Sequence, residues 1–410
     1  MHFAIVSYTF PPSKEIGGRR WAKFSQHLSR LGHEVTVVCA NKSTDINWYR
    51  EEYPGINFRL LPKRYPDWLS GYTKSFGEKL GYFFATRILK FFTRHNLFDK
   101  GFAWRNVMLN ALEDLHQHNK IDILIASGAP FSILHFGAEF KNKHKEIFYV
   151  TDLRDPWTWG DYYGLPNLPL YKKKYQKHLE SESMKWSDMV CYSTQSIGDF
   201  LKNQYPAFES KMLLLPHAYE PDKFPKNTKE EKRNGFIYGG SLYPGLEDYF
   251  KKIAAVIDSN PDPAFKWDIY TGSPYPLLDD PLFTGKNIVK HSFVPEQQLF
   301  QEIKKSSAYL VLFPPTDKDL ISTKFFEIIY TGTPILYIGA EGDVGKFIRE
   351  NRVGVHILPE NIEEELPKYL KGKIPFEPGY FDISQYTFEV VTQNFVKAII
   401  DFKIRDWQGL

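Results

Sequence analysis

The chain has 410 residues, 42% hydrophobic and 25% charged, with 52 Lys+Arg against 49 Asp+Glu and a formal net charge of +3. Glycine and proline number 27 each and cysteine only 2, which excludes a collagen-like repeat, a disordered tail and a disulfide-stapled knot. No apolar run reaches the ~20 residues of a spanning helix, and at ~100–200 residues per domain the length predicts two domains.

The charge is unevenly spread. Residues 1–216 hold 29 Lys+Arg against 21 Asp+Glu, net +8, while 217–410 hold 23 against 28, net −5. A basic half joined to an acidic half predicts two different tasks. Neither half carries the dense basic stripe of a nucleic-acid binder. The opening MHFAIVSYTFPPSKE lacks a basic n-region and is broken by prolines, so no signal peptide and a cytoplasmic location are expected. Cys39 and Cys191 sit in apolar runs and read as buried thiols. The unusual number is the aromatic share, 16%.

In chain order, residues 3–7 predict a strand and Gly17-Gly18 a loop. Trp21, Phe24, Leu28 and Leu31 then share one face of a helix that Gly32 can end. Residues 34–40, 121–127, 146–151, 189–193 and 211–215 read as further strands with helical stretches between them. This alternation predicts βαβ units and a parallel sheet. Residues 214–235, rich in Pro, Asn and charge, read as a linker. A second series follows at 236–238, 267–270, 288–289, 309–313, 334–338 and 355–358. Residues 384–407 read as one amphipathic helix striped by Phe388, Val391, Phe395, Ala398, Ile399 and Phe402. The expected organisation is an α/β domain over 1–216, a second over 217–383 and a closing helix over 384–410.

Open parallel sheets bind ligands beyond the carboxyl ends of their strands, so four segments there are candidates. PPSKEIGGRR (11–20) puts Gly17 and Gly18 before a helix. It reads either as an anion site or as a plain turn with solvated arginines. Its spacing is not G-x-G-x-x-G, so a dinucleotide is not indicated. TDLRDPWTW (151–159) sets Asp152 and Asp155 around Arg154, either an ion network or a binding site. FIYGGSLYPG (236–245) lets backbone approach a phosphate at Gly240 and Ser241. The strongest segment is 317–335: Ser322 or Thr323 caps a helix ending at Gly332, and its first-turn N–H groups with Lys324 offer a diphosphate cradle. Glu327, one turn on, is placed to accept from a ribose diol.

Together with LGHEVTVV, TKFFEIIYTGTPIL and the closing helix, these segments resemble the GT-B glycosyltransferases. The likeness is specifically to glycosyltransferase family 4, in its bacterial surface-polysaccharide branch, and follows that family's order across essentially the whole chain. It implies two facing Rossmann-like doubly wound domains with a C-terminal helix returning toward the first. A UDP- or GDP-sugar donor is expected mainly on the second domain and a glycan or polyprenyl-linked acceptor on the first. Transfer is expected to be metal-independent and configuration-retaining, with no cofactor beyond the donor. Residue by residue, Gly17 and Gly18 would line donor phosphates or acceptor. Gly240 and Ser241 would approach the diphosphate, Ser322, Thr323 and Lys324 would bind it, and Glu327 would hold the ribose. Asp319, eight residues before Glu327, stands where the family has the first glutamate of its E-x7-E motif. Two further departures are the missing arginine after Gly-Ser-Leu and the region 152–155 in place of a histidine. A nucleotide-sugar epimerase and a non-catalytic scaffold share the architecture.

For sugar transfer, Asp152 and Asp155 are expected to meet sugar or acceptor hydroxyls, with Arg154 holding their geometry. Double displacement through Asp152, Asp155 or Asp319 is the alternative to same-face attack. Between 71 and 105, Lys74, Lys79, Arg87, Lys90, Arg94, Lys100 and Arg105 interleave with aromatic residues. The segment reads either as a surface for an anionic bilayer, on the inner face of the cell membrane, or as domain core. Lys172-Lys173-Lys174 reads as a solvated helix face.

Overall fold

The computed structural model describes all residues except 14–16, 42–45, 71–74, 161, 225–232, 243–244, 261, 273–275, 316–320, 375–378, 380 and 409–410. β1 (His2–Ser7) is buried at all six positions, as a strand paired on both edges and covered on both faces must be. With β2 (Glu34–Asn41), β3 (Asn57–Pro62), β4 (Ile123–Gly128), β5 (Phe148–Leu153), β6 (Met189–Tyr192) and β7 (Met212–Leu214) it forms a parallel sheet of order β3-β2-β1-β4-β5-β6-β7. The crossovers carry α1 (Gly17–Arg30), α2 (Ile46–Glu52), α3 (Phe76–Phe92), α4 (Arg105–His118), α5 (Ser132–Lys143), α6 (Leu170–Trp186) and α7 (Gln195–Gln204).

The second sheet joins β8 (Arg233–Gly239), β9 (Lys266–Tyr270), β10 (Ile288–His291), β11 (Ser306–Leu312), β12 (Ile335–Ile338) and β13 (Gly354–Ile357), all parallel, in the order β10-β9-β8-β11-β12-β13. Its helices are α8 (Glu247–Asp258), α9 (Glu296–Lys305), α10 (Thr323–Tyr330), α11 (Asp343–Asn351) and α12 (Ile362–Leu370), and the chain ends in α13 (Phe388–Gln408). Both sheets have the Rossmann order, in which successive strands run first one way and then the other from a central pair. Those switch points are β1/β4 and β8/β11.

The chain divides into two compact units, Met1–Pro216 with Phe388–Leu410, and His217–Thr387. The expected final helix is broken: a 3-10 turn, Ile383–Tyr386, is capped by the Asp382 side chain, and α13 starts only at Phe388. What draws α13 to the first unit is the aromatic stripe of α1. Phe24 packs against Phe388 at 5.3 Å and Phe395 at 6.4 Å, and Trp21 meets Phe395 at 6.1 Å. Strand β3 escaped the sequence reading because it is an edge strand of alternating exposed and half-buried residues ending in Pro62. Both cysteines are fully buried, and burial pushes the Cys39 thiol up to about 12, so it stays protonated.

The segment 71–105 divides in two. Trp104 joins the core, fully enclosed. α3, by contrast, has no buried residue, and Phe76, Phe91 and Phe92 are 82%, 86% and 84% exposed. A capping box, Ser75 Oγ to Glu78 N–H and Glu78 carboxylate to Ser75 N–H, holds its start without packing. Lys74 lies outside the described residues. Among those residues no helix is long and apolar enough to cross a membrane. The lysine run 172–174 is also corrected: Lys172 is buried, and only Lys174 is fully exposed.

Replacing Phe395 by Ala removes a ring that is 1% exposed. The expected cost is about 3–5 kcal/mol in the unfolding of the first unit, read by urea titration with tryptophan fluorescence. A loss below ~1 kcal/mol would show that α13 adds little to that core.

Candidate functional site

In the second unit, β8 ends at Gly239, and two side chains distant in sequence converge on its carbonyl. The hydroxyl of Tyr309, on β11, donates to it at 2.6 Å, and Lys324 Nζ, in the first turn of α10, donates at 3.3 Å. The glycine turn and the helix start therefore meet at the switch point of this sheet. Ser322 caps α10 in an extended conformation, φ −82° and ψ 159°, and its hydroxyl makes no capping bond. Three residues are exposed here, Ser322, Lys324 and Ser241, with Thr323 half-buried. The first-turn N–H groups of a helix beside an ammonium give a local positive potential. α10 closes at Gly332, with φ +72°.

A Cβ added at Gly240 would meet the Tyr238 hydroxyl at 3.5 Å, an ordinary contact. Packing within the unit therefore does not require glycine there, and the turn stays open to a bulky anion. The same Tyr238 hydroxyl donates to the Ser241 carbonyl at 2.9 Å and fixes the turn. Glu327, one helical turn past Lys324, is buried at 7% exposure beside Tyr309, whose phenol burial pushes up. Asp319 lies outside the described residues.

In the first unit, the Asp152 carboxylate at the end of β5 is completely enclosed. Its Oδ2 accepts from Trp21 Nε1 and Ser127 Oγ, both at 2.7 Å, and Arg20 Nη2 stands 3.6 Å from Oδ1. Arg20 donates in turn to the carbonyls of Leu215 at 2.6 Å and Pro216 at 2.8 Å. Burial pushes the Arg20 pKa down, against the pull of Asp152. This corrects the expectation that Asp152 meets sugar or acceptor hydroxyls with Arg154 as its partner. Asp152 is enclosed among Trp21, Ser127 and Arg20. Arg154 instead meets Asp155 at 3.6 Å and donates to the Ala129 carbonyl at 2.9 Å. Asp155 keeps a half-buried carboxylate, 30% exposed.

At the start of α1 close approach of the Thr9–Phe10 backbone demands glycine at 18, while Gly17 faces the movable end of a side chain. A Cβ on Gly18 would lie 2.4 Å from the Thr9 carbonyl oxygen, and one on Gly17 would lie 2.0 Å from the Arg154 guanidinium. Gly17 thus lets Arg154 lie over the first turn of α1. The arrangement concentrates positive potential there.

The described residues hold one group with metal-ligand reach: His116, His144 and Glu146, whose ligand atoms lie within 4.8 Å of one another. His116 Nδ1 accepts the Ile121 N–H at 3.1 Å, so the ring proton sits on Nε2, which faces Glu146 at 3.1 Å. A metal would have to displace that proton, and the group lies at the amino ends of the strands, away from the switch points.

Four groups were missed in the sequence: Arg20, Trp21 and Ser127 around Asp152, and Tyr309 over Gly239. Arg20 carried a signal, since it stands four residues before Phe24 and so shares the buried face of α1; its guanidinium lies 5.0 Å from that ring. Tyr309 carried none, because a strand buried on both faces shows no alternation to distinguish it.

Asp152→Ala leaves Arg20 enclosed without its counter-charge and is expected to cost about 3–5 kcal/mol of stability. Urea unfolding checks this, and a loss below ~1 kcal/mol would mean that the carbonyls of Leu215 and Pro216 suffice for Arg20.

No protein-family model matches the chain, and no curated protein matches it. Solved structures do. A lipopolysaccharide outer core galactosyltransferase, WaaB, aligns over 98% of this chain and 99% of its own, at 14% identity and a TM-score of 0.62. A glycosyltransferase from Rickettsia africae aligns over 98% of both chains, at 11% identity and a TM-score of 0.65. The N-terminal domain of a Candida albicans trehalose-6-phosphate phosphatase aligns over 98% of this chain and 97% of its own, at 11% identity and a TM-score of 0.62. At these identities the likeness establishes architecture: the chain has the two-domain α/β fold of the GT-B glycosyltransferases.

Proposed function

We propose that this chain moves a sugar, with retention of configuration, from a nucleotide-sugar such as a UDP- or GDP-sugar to a glycan or lipid-linked acceptor in bacterial surface-polysaccharide synthesis. The observation that carries this reading is the convergence of Lys324 and the first turn of α10 on the Gly239 carbonyl. Transfer requires a nucleoside diphosphate to leave the anomeric carbon as positive charge develops on the sugar ring. The leaving oxygens need fixed donors, and Lys324, the N–H groups after Ser322 and the backbone of Gly240 and Ser241 supply them without rearrangement. Glu327 accepts from the ribose diol. Retention follows when the acceptor hydroxyl attacks from the leaving-group face and gives its proton to the departing phosphate. On the first unit, Asp155 and the backbone at Gly17 and Gly18 meet sugar or acceptor hydroxyls, with Arg154 fixing Asp155.

The exposed aromatic and basic surface of α3 supports peripheral contact with the anionic inner face of the cell membrane, where a polyprenyl-linked acceptor is reached. Flotation with phosphatidylglycerol vesicles tests this. Binding is expected for the intact chain and lost with Lys90→Glu and Arg94→Glu together; binding unchanged in that variant contradicts it.

Lys324→Met removes a charge-assisted contact worth about 1.5–3 kcal/mol, so the cognate nucleoside diphosphate should bind roughly 10–150-fold more weakly. A thermal-shift panel of UDP, GDP, ADP and their sugars identifies the ligand. Product analysis with and without acceptor then separates transfer from epimerisation: donor converted in the absence of acceptor would contradict the transferase reading. Asp155→Asn is expected to lower turnover at least ~10-fold, through loss of a charged hydrogen-bond acceptor. Near-unchanged turnover would remove Asp155 from the mechanism.

A further inference from the structure

The first unit holds a cavity of about 530 Å³ beside its edge strand β3, within the ~300–1,000 Å³ of small-molecule sites. Three neighbouring elements build its wall. Arg50 comes from α2, Tyr53 from the turn just after it, Asn57, Phe58 and Arg59 from β3, and His118 from the end of α4. Thr36, which also lines the cavity, pairs in register with Asn57, the first residue of β3. The cavity therefore sits at the amino ends of the strands. The switch point β1/β4, where the first unit's candidate chemistry lies, is at the carboxyl ends.

The wall is cationic: two arginines and a histidine line it, and among the described residues no carboxylate does. Arg50 makes no hydrogen bond or ion pair with any described residue. Arg59 has only Asp114, 3.7 Å from its Nη2, and both side chains are about half exposed. An ion pair so placed contributes little, so the guanidinium keeps most of its donors for a ligand. His118 Nδ1 donates to the Asp114 carbonyl at 2.8 Å, which leaves its Nε2. Tyr53 is only 7% exposed, and its hydroxyl bonds to no described residue. Burial above all pushes this phenol up to about 12, so it stays a donor. Its ring meets Phe58 at 6.0 Å, and Phe58 meets Tyr49 at 4.8 Å, which gives the cationic wall an aromatic neighbour.

We propose that this cavity binds a phosphorylated small molecule, with Arg50 and Arg59 meeting the phosphate and Phe58 and Tyr53 covering the uncharged part. Guanidinium forks match phosphate oxygens, and the free donors of the wall have no acid of their own to satisfy them. The cavity is larger than a bare phosphate fills, so the anion rides on a body the size of a sugar. The site lies within the first unit and stands apart from the diphosphate cradle on the second.

Calorimetric titration of the intact chain at constant ionic strength tests this, with glucose 6-phosphate, inorganic phosphate and glucose as probes. Glucose 6-phosphate is expected to bind, inorganic phosphate to bind more weakly, and glucose not to bind. Arg50→Ala with Arg59→Ala should weaken glucose 6-phosphate at least ~10-fold, through loss of charge-assisted hydrogen bonds. Lys324→Met, on the other unit, should leave that affinity unchanged. Arg50 makes no polar contact with a described residue, so Arg50→Ala alone decides should the pair fail to fold, with a several-fold loss expected. Equal affinity in wild type and the arginine variants overturns the proposal, as does binding of neither phosphate. Glucose binding as tightly as its 6-phosphate overturns it too. Affinity lost in Lys324→Met and kept in the arginine variants places the phosphate at the cradle and overturns it equally.

Discussion

The constraint on which the rest depends is the reversal of strand order at β1/β4 and again at β8/β11. At each reversal the crossover helices leave in opposite directions, so backbone and helix starts surround a gap that no packing fills. Both clusters of candidate chemistry lie at such a gap. In the second unit Tyr309 and Lys324 bind the Gly239 carbonyl. In the first, Gly17 admits the Arg154 guanidinium over the start of α1. The two halves share this plan although they differ in net charge. The second unit gathers its donors on one helix turn, whereas the first distributes cations over several elements.

Those cations are satisfied to very different degrees, and the differences separate structural from functional roles. Arg20 has a carboxylate nearby and two carbonyls to donate to, and it is enclosed. Arg154 donates to one carbonyl, and its Nε makes only a loose ion pair with Asp155. Burying a charge without pairing it opposes folding, so the unsatisfied cations are where a ligand has most to contribute. The enclosed Asp152 likewise gives its Oδ2 to Trp21 and Ser127.

Much of the fold was legible in the sequence because a buried parallel strand is a short apolar run between helical periods, as at residues 34–40 and 309–313. The loops at the strand ends were legible too, because glycine pairs and a capped helix start are written locally. The edge strand β3 was not, since its half-exposed residues carry no apolar run. Neither was the partner of Asp152. The nearest arginine in sequence is Arg154, yet the sheet brings Arg20 to it from 132 residues away, a pairing that only the parallel register creates. The lysine run at 172–174 misled for the same reason: helical periodicity says which residues share a face, not whether another element covers that face.

The central claim is that the turn after β8 and the first turn of α10 hold a diphosphate. Calorimetric titration of the intact chain with the di- and monophosphates of uridine, guanosine and adenosine tests it most directly. One nucleoside diphosphate should bind at least ~10-fold more tightly than its own monophosphate, because the second phosphate adds a charge-assisted contact worth about 1.5–3 kcal/mol. Equal affinity for the two, or binding of none, would contradict the account.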